Sequence, residues 1–445
     1  MMALSPSVRR STVLPVVQAR WAMWVFVIVN VAIVEILFFT AGEGKNSILT
    51  VAKFFGLHAA LIILFQLLLV ARVPWLDRRI GMDRLTSWHR WVGFTLFWTV
   101  LTHATLVVLG YATLDNAPMS ETFLALAGVP ASLLGMFAAA LIVVIGATSA
   151  RYVRRRLRYE IWHALHMLVY LALALAFVHQ LLETTTFASS AFAIGYWWAL
   201  WIVAIGALVI GRIVVPLRRN ALHRFQVAAV VPESHNVVSV HVTGRHLDRL
   251  PARAGQFFIW RFPGHNHWWQ ANPFSLSAAP NGRSLRLTAK AVGSTSAGLR
   301  DVPVGSRVFL EGPYGAFTSL HRTRPGALLI AGGVGITPVR ALLEEQPAGD
   351  VVVLYRVRSE QDAVLLNELR QLVAARGGRL YLLVGRTGEG ARPFEPDALR
   401  SLVPDITERD VYVCGPPAMT SAALDGLRRL KVPNLQVHAE KFSLA

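Results

Sequence analysis

The chain has 445 residues, 54% of them hydrophobic, and carries 44 Lys and Arg against 26 Asp and Glu for a formal net charge of +18. So large an apolar fraction excludes an enzyme that is water-soluble along its whole length. The single cysteine, Cys414, excludes an intrachain disulfide and a four-cysteine iron–sulfur cluster. The length suggests about three domains.

Apolar residues concentrate in the first half. Six stretches, at 21–41, 52–73, 88–110, 130–149, 161–182 and 192–215, read as membrane helices. Each has about 20 residues or more, enough to cross about 30 Å of hydrocarbon at about 1.5 Å per residue. The first is too long for the apolar core of a signal peptide and lacks a small-residue cleavage site, so it is expected to be retained. Basic residues gather at alternate helix ends: Arg9, Arg10 and Arg20; then Arg72, Arg78, Arg79, Arg84 and Arg90; then Arg151, Arg154, Arg155, Arg156 and Arg158; then Arg212, Arg218 and Arg219. The other loops carry Lys45 with Glu43, Asp115, Glu121 and Glu183. This asymmetry places the N-terminus, the basic loops and everything after the sixth helix in the cytoplasm of a multi-pass cell-membrane protein. It also assigns the positive charge to the lipid bilayer as partner rather than to nucleic acid.

The third stretch, WHRWVGFTLFWTVLTHATLVVLGY, carries His89 and His103. Fourteen residues of helix return to within about 40° of the same face and rise about 21 Å. The fifth, RYEIWHALHMLVYLALALAFVHQ, carries His163, His166 and His179. The 13 residues from His166 to His179 leave the two about 140° out of phase on a straight helix, and His163 does no better. Histidines within a membrane serve either as interhelical hydrogen-bond partners or as functional groups, iron ligands among them. His58, in the second stretch, has no matched partner and reads as structural.

From about residue 220 the chain reads as soluble. RFQVAAVVPE, VVSVHVTG, GQFFIWRFP, SLRLTAKA and SRVFLEGPYG are short strands between turns, the pattern of a small antiparallel barrel. LLIAGGVGITPVRALLEEQ (328–346) is a strand, a glycine turn and a helix. DVVVLYRV and GRLYLLVG are strands, QDAVLLNELRQLVAAR a helix, and VYVCGPPAMTSAALDGL a strand followed by a turn and a helix. Strand–helix alternation predicts a parallel sheet that binds ligands at the carboxyl ends of its strands, where AGGVGITP and CGPPAM fall. A glycine turn opening a helix suits a phosphate.

The series NPFSLS (272–277), KAVGSTSAGL (290–299), EGPYGAF (311–317), AGGVGITP and CGPPAM resembles the ferredoxin–NADP reductase superfamily over residues 221–445. The resemblance implies that Pro273, Phe274, Ser275 and Ser277 form the flavin-binding segment, with Ser275 near flavin N5. It implies that Gly293, Ser294 and Ser296 hold the FAD pyrophosphate. Gly332, Gly333, Gly335, Thr337 and Pro338 would form the nicotinamide-nucleotide phosphate loop. Cys414, Gly415 and Pro416 would lie beside the nicotinamide, and Glu440 and Phe442 in the segment that closes over the flavin. Ser275, Cys414 and Phe442 are the expected catalytic positions. Asn272 stands where many members have Arg and membrane-bound relatives have His, which implies weaker FAD retention. Arg356, Arg358 and Arg386 follow strands where a 2′-phosphate would bind, which favours NADPH over NADH.

With the histidine pairs on the third and fifth helices, HR-x-x-G at 89–93 and YE-x-W-H-x-x-H at 159–166, the whole chain from about residue 20 resembles the ferric reductase/NADPH oxidase family of transmembrane flavocytochromes b. The resemblance implies a multidomain architecture: a cytoplasmic segment (1–20), a six-helix haem-binding transmembrane domain (21–217), an antiparallel β-barrel FAD domain (218–323) and an α/β parallel-sheet NAD(P) domain (324–445). It implies two b-type haems, one held by His89 and His166 (with His163 as the alternative) and one by His103 and His179. The expected activity is electron transfer from cytoplasmic NAD(P)H through FAD and haem to an acceptor on the outer face, either a ferric chelate or dioxygen. The alternatives are a membrane redox sensor without steady turnover and a nucleotide-gated channel or transporter.

Overall fold

The computed structural model describes residues 15–183, 187–265, 272–385 and 392–441. They form two compact units, Ala19–Val73 with Arg84–Arg212, and Pro74–Asp83 with Ile213–Ala445.

The first unit is helical: α1 (Pro15–Thr40), α2 (Ser47–Val70), α4 (Met82–Asp115), α5 (Met119–Ala127), α6 (Pro130–Ser149), α7 (Arg151–Arg154), α8 (Tyr159–Met167), α9 (Val169–Leu182) and α10 (Ala191–Val209). A short helix, α3 (Pro74–Ile80), precedes α4 and belongs to the second unit. Six helices among the described residues are long and apolar enough to cross a membrane, at Val17–Thr40, Ser47–Val70, Arg84–Asp115, Pro130–Ser149, Glu160–Leu182 and Ala191–His223. These are the six segments expected from the sequence, the third and sixth running longer than their apolar cores.

Local chemistry starts them. The side chain of Asn46 caps α2 by accepting the Leu49 N–H at 2.8 Å, and Ser190 caps α10 by accepting from Ala193 at 3.1 Å. Leu37, Leu57, Leu61, Leu64, Trp197 and Trp201 form the core. Trp21, Phe39, Trp91, Phe94 and Ile202 point outward, as a lipid-facing surface requires. The few polar side chains pair across helices. Tyr196 donates to Asn30 at 3.0 Å, Trp201 to Gln180 at 3.1 Å, and His58 Nε2 lies 3.3 Å from Glu35.

The second unit continues with α11 (Val215–His223) and a flavin-type half of six antiparallel strands. These are β1 (Gln226–Ser234), β2 (Val237–Thr243), β3 (Phe257–Arg261), β4 (Asn272–Ser275), β5 (Ser284–Lys290) and β6 (Phe309–Tyr314), with a short helix α12 (Ser294–Gly298) before β6. They make two three-stranded sheets, β1-β2-β5 and β4-β3-β6, joined by the bridges Leu276–Leu287 and Gln226–Arg307. One core lies between them, with Phe258, Trp260, Leu276, Leu287 and Leu310 at its centre.

The last part alternates β7 (Gly326–Gly332), α13 (Ile336–Glu345), β8 (Val351–Val357), α14 (Leu366–Ala374), β9 (Arg379–Val384), α15 (Pro396–Leu402), β10 (Arg409–Gly415), α16 (Pro417–Arg429) and β11 (Val437–Lys441). Its five strands are parallel, in the order β11-β10-β7-β8-β9. The central strands β7, β8 and β10 are buried along their whole length, which is why they are mostly apolar, with Arg356, Arg409 and Asp410 as buried charged exceptions. Helix α14 starts later than its apolar pattern suggests. Leu365 adopts φ +59°, outside the helical region, and the residues before it form a separate turn at Glu360–Asp362.

Two further segments are built into the flavin-type half. Asn220 of α11 donates to the Leu310 carbonyl at 2.7 Å and accepts its N–H at 2.9 Å, and Arg219 donates to the Gly312 carbonyl. Asp77 of α3 is 1% exposed and accepts the Gly315 N–H at 3.0 Å. Asp77→Ala would leave that buried N–H without its acceptor. The expected loss is about 1–3 kcal/mol, read as a lower temperature for release of bound FAD fluorescence. An unchanged midpoint would show that the contact contributes nothing.

Candidate functional site

The histidines in the apolar helices form two pairs. His89 on α4 and His166 on α8 face each other with ring centroids 6.2 Å apart and planes at 78°. Two metal–imidazole bonds of about 2.0 Å in line, with two ring radii of about 1.1 Å, span roughly 6.2 Å. The observed separation matches that span, so one metal ion would fit between the two rings. The His89 Nδ1 is buried without a hydrogen-bond partner, an orphan that native interiors rarely tolerate. His166 stacks on Trp162 at 5.2 Å, and the Arg154 guanidinium lies 4.5 Å from the Trp162 ring. His163 is exposed, so it is His166 that meets His89.

The second pair is held by one device used twice. His103 Nδ1 is 2.8 Å from the Ala52 carbonyl of α2, and its ring lies where a side chain on Gly56 would be, with Cε1 2.8 Å from that Cβ position. His179 Nδ1 is 2.8 Å from the Ala131 carbonyl of α6, and its ring occupies the space above Gly135, with Cε1 3.0 Å from the Cβ position. In each case a carbonyl and a glycine one turn later, Ala-x-x-x-Gly, cradle the imidazole. A carbonyl only accepts, so Nδ1 carries the proton and Nε2 keeps its lone pair, the tautomer a metal requires.

The 140° mismatch on the fifth helix has a structural resolution. The helix is interrupted at Leu168, whose N–H bonds three residues back to Leu165 at 3.1 Å. His166 and His179 stand on separate segments, and the straight-helix count does not run through the break. Among the described residues no group of three or more His, Cys, Asp or Glu could hold a metal alone. Paired histidines therefore suit an iron whose remaining ligands come from a macrocycle.

In the flavin-type half, Ser275 ends β4, is 3% exposed, and its hydroxyl has no hydrogen-bond partner. This orphaned group is available to a polar atom of a bound ring. Asn272, Pro273 and Phe274 are half-buried on the same strand, and the Phe274 carbonyl accepts from Trp260 Nε1 at 3.0 Å. Ser277 differs. Its hydroxyl accepts from Thr288 at 2.7 Å and from Arg286 Nε at 3.1 Å. Ser296 accepts the N–H groups of Val292 and Gly293 at 2.9 and 3.1 Å, closing the turn that begins α12 at Ser294.

At the carboxyl ends of the parallel strands the register aligns the expected residues. Gly332 is opposite Arg356, Cys414 is paired with Glu440 on β11, and Ala331 with Cys414. The glycines divide their tasks. A Cβ on Gly335 would lie 2.3 Å from the Cys414 carbonyl oxygen, and one on Gly332 2.4 Å from Met419 Sδ. A Cβ on Gly415 would lie 2.5 Å from Met419 Cε. These three let two loops close on each other. Gly333 alone, at φ +53°, has open space where its side chain would be, and a phosphate can approach there.

Thr337 donates to the Val334 carbonyl at 3.0 Å, and Pro338 is buried in the first turn of α13. Tyr355 O–H reaches the Gly333 carbonyl at 3.3 Å, and burial raises its pKa. Arg356 is 6% exposed and donates to Val384 at 3.0 Å; burial lowers its pKa. The Cys414 side chain is fully buried, and Pro416 precedes α16. Arg386 and Phe442 lie outside the described residues.

Three family models match, in chain order. "Ferric reductase like transmembrane component" covers residues 55–177, "FAD-binding domain" 222–318 and "Oxidoreductase NAD-binding domain" 329–425. Among curated relatives, the ferredoxin reductase component of a 3-ketosteroid-9-alpha-monooxygenase from Mycobacterium tuberculosis is 34% identical over 244 residues. That match takes in 51% of this chain and 67% of the relative. A flavohemoprotein from Vibrio cholerae is 31% identical over 211 residues, 45% of this chain and 52% of that protein. Among solved structures, the FAD/NAD-binding domain of a nitric oxide dioxygenase from Vibrio cholerae is 29% identical. It covers 49% of this chain and 98% of its own, with a TM-score of 0.40.

Proposed function

Because the chain belongs to the family of membrane oxidoreductases that join a ferric reductase like transmembrane component to FAD- and NAD-binding domains, we propose that it carries electrons from cytoplasmic NAD(P)H to an acceptor on the outer face of the cell membrane. In this reading FAD occupies residues 218–323, the nucleotide residues 324–445, and two b-type haems the apolar helices. The acceptor is a ferric chelate or dioxygen. The observation that carries the reading is the pairing of four intramembrane histidines, one pair at 6.2 Å and the other cradled with Nε2 free. The basic loops support the cytoplasmic placement of the soluble half.

His89 and His166 would hold one iron, and His103 and His179 the other. Bound FAD and haem supply the conversion of a two-electron hydride donor into single electrons. The chain's own part is to hold and orient. The carbonyls of Ala52 and Ala131 keep the Nδ1 protons in place, and Gly56 and Gly135 leave room for the rings. Ser275 offers its unpartnered hydroxyl to the flavin, and the open face of Gly333 admits the nucleotide phosphate. Arg386, and Arg356 if it turns from the Val384 carbonyl, would supply positive charge for a 2′-phosphate, so NADPH is the favoured donor.

The deciding experiment is an anaerobic absorbance spectrum of the FAD-supplied protein before and after NADPH. Bis-histidine b-type haem that NADPH reduces is the expected result. A folded, cofactor-replete preparation without haem would refute the reading. Ser275→Ala is expected to slow flavin reduction by NADPH about 10- to 100-fold while FAD still binds. Stopped-flow bleaching of the flavin measures this, and an unchanged rate removes Ser275 from the site.

A further inference from the structure

The flavin-type half and the nucleotide half are joined by a run of charges, two buried arginines and two half-buried carboxylates, that the proposed function does not use. Arg286 of β5 is 7% exposed. Its two terminal nitrogens each donate to one oxygen of Glu368 on α14, both at 2.9 Å. Its remaining contacts are to the flavin segment, with Nε on the Ser277 hydroxyl at 3.1 Å and Nη2 on the Ser277 carbonyl at 2.8 Å. Glu368 also accepts from Arg340 Nε at 2.8 Å. Arg340 stands on α13, the helix that follows the glycine turn at 332–335, and reaches Glu344 on the same helix at 2.5 Å. Glu344 in turn accepts the Ala279 N–H of the flavin-type half at 2.7 Å.

We propose that Arg286, acting through Glu368, is a positioning residue that fixes the flavin segment against the nucleotide-binding helix and so aligns donor and acceptor for hydride transfer. The planar fork of Arg286 is what makes the link directional. Two parallel N–H···O bonds hold both distance and angle, which a point charge does not. Arg286 thereby ties Ser277, two residues beyond Ser275, to the carboxylate that also holds α13. Burial opposes ionisation of Glu368, but the guanidinium groups of Arg286 and Arg340 outweigh it and hold the carboxyl below its ordinary value. Glu368 therefore stays charged through the neutral range.

An arginine–carboxylate–arginine group with its arginines buried and its carboxylate half-buried is by itself a poor source of stability, because desolvation and solvent screening offset much of the attraction. A positional role explains it better, since a small misplacement of reacting atoms is costly in rate. The reaction concerned is the NAD(P)H-to-flavin step, so the inference rests on the proposed function.

The test uses the full chain, supplied with FAD and kept anaerobic, in four forms: wild type, Arg286→Met, Arg286→Lys and Glu368→Gln. Stopped-flow bleaching gives the limiting rate of flavin reduction and the NADPH concentration for half-saturation. Arg286→Met and Glu368→Gln are expected to lower the limiting rate about 10- to 100-fold with under about threefold change in half-saturation. Arg286→Lys, which keeps the charge and loses the fork, should fall between them and wild type. The double variant Arg286→Met/Glu368→Gln should be no slower than the worse single one, as expected of residues acting as a unit. Limiting rates within about twofold of wild type in FAD-bound Glu368→Gln and Arg286→Lys would overturn the proposal, even if Arg286→Met fails to fold. A wild type whose flavin NADPH does not reduce would instead overturn the functional reading beneath it.

Discussion

Replacing His103 by Leu is expected to lower haem content from about two to about one per chain and to abolish reduction of an external acceptor, while NADPH still reduces the flavin. Leucine fills much the same volume and suits an apolar helix, so the change removes the proposed ligand without opening a large cavity. The Ala52 carbonyl loses its donor, a small loss beside that of a nitrogen that would hold iron. His179→Leu should give the same spectrum, because the two rings occupy equivalent cradles. Gly56→Val supplies an independent arm. It leaves His103 intact but puts side-chain atoms where the ring lies, 2.8 Å from Cε1 even at the Cβ, and should lose the same haem. The measurement is the pyridine haemochrome content together with NADPH-driven reduction of an impermeant ferric chelate in oriented vesicles. Full haem content in His103→Leu and His179→Leu would show that these histidines serve only to pack the bundle.

Gly335→Ala is expected to cost about 3 kcal/mol and to abolish nucleotide binding. The added Cβ would stand 2.3 Å from the Cys414 carbonyl oxygen and 2.7 Å from its carbon. Both are backbone atoms at the carboxyl end of β10, a central strand fully buried along its length, and cannot turn aside as a flexible side chain could. Relief requires the glycine turn to lift from β10, and that turn begins the helix that would face the dinucleotide phosphate. Gly333→Ala is a milder contrast. Its Cβ meets nothing within 4 Å, and the strain comes only from φ +53°, about 1–2 kcal/mol. Thermal unfolding followed by flavin release, with and without NADPH, separates the two. If Gly335→Ala melts like wild type, the close approach of the two loops is not a constraint on the fold.

The arginine and glycine chemistry of the nucleotide half shows how far a motif can be read. AGGVGITP is legible as a strand–turn–helix junction, yet the sequence suggests one purpose for all its glycines. In the structure Gly332 and Gly335 are consumed by contact with Met419 and Cys414, and only Gly333 remains open to a ligand. In the same way NPFSLS is legible as a flavin segment, but Ser275 and Ser277 part company. The first has an unpartnered hydroxyl, whereas the second is tied to Thr288 and Arg286.

Composition and periodicity alone determined that six apolar helices precede a strand-rich half and an alternating α/β half. These are properties of consecutive residues, and burial in lipid or in a parallel sheet writes them into every window of the chain. The in-phase spacing of His89 and His103 was likewise visible, because one uninterrupted helix carries both. The partner of His89 was not. His166 and His163 are three residues apart on the same helix segment, and the choice depends on which face of α8 packs against α4. Ala52, Gly56, Ala131 and Gly135 look like ordinary small residues of apolar helices until His103 and His179 are brought to them from 51 and 48 residues away. The Asp77 contact with Gly315 spans 238 residues, and the link from Arg286 to Glu368 spans 82. Such pairings leave no local period, because either partner alone satisfies the pattern of its own element. Only the tertiary fold decides which carbonyl, glycine or carboxylate each side chain meets.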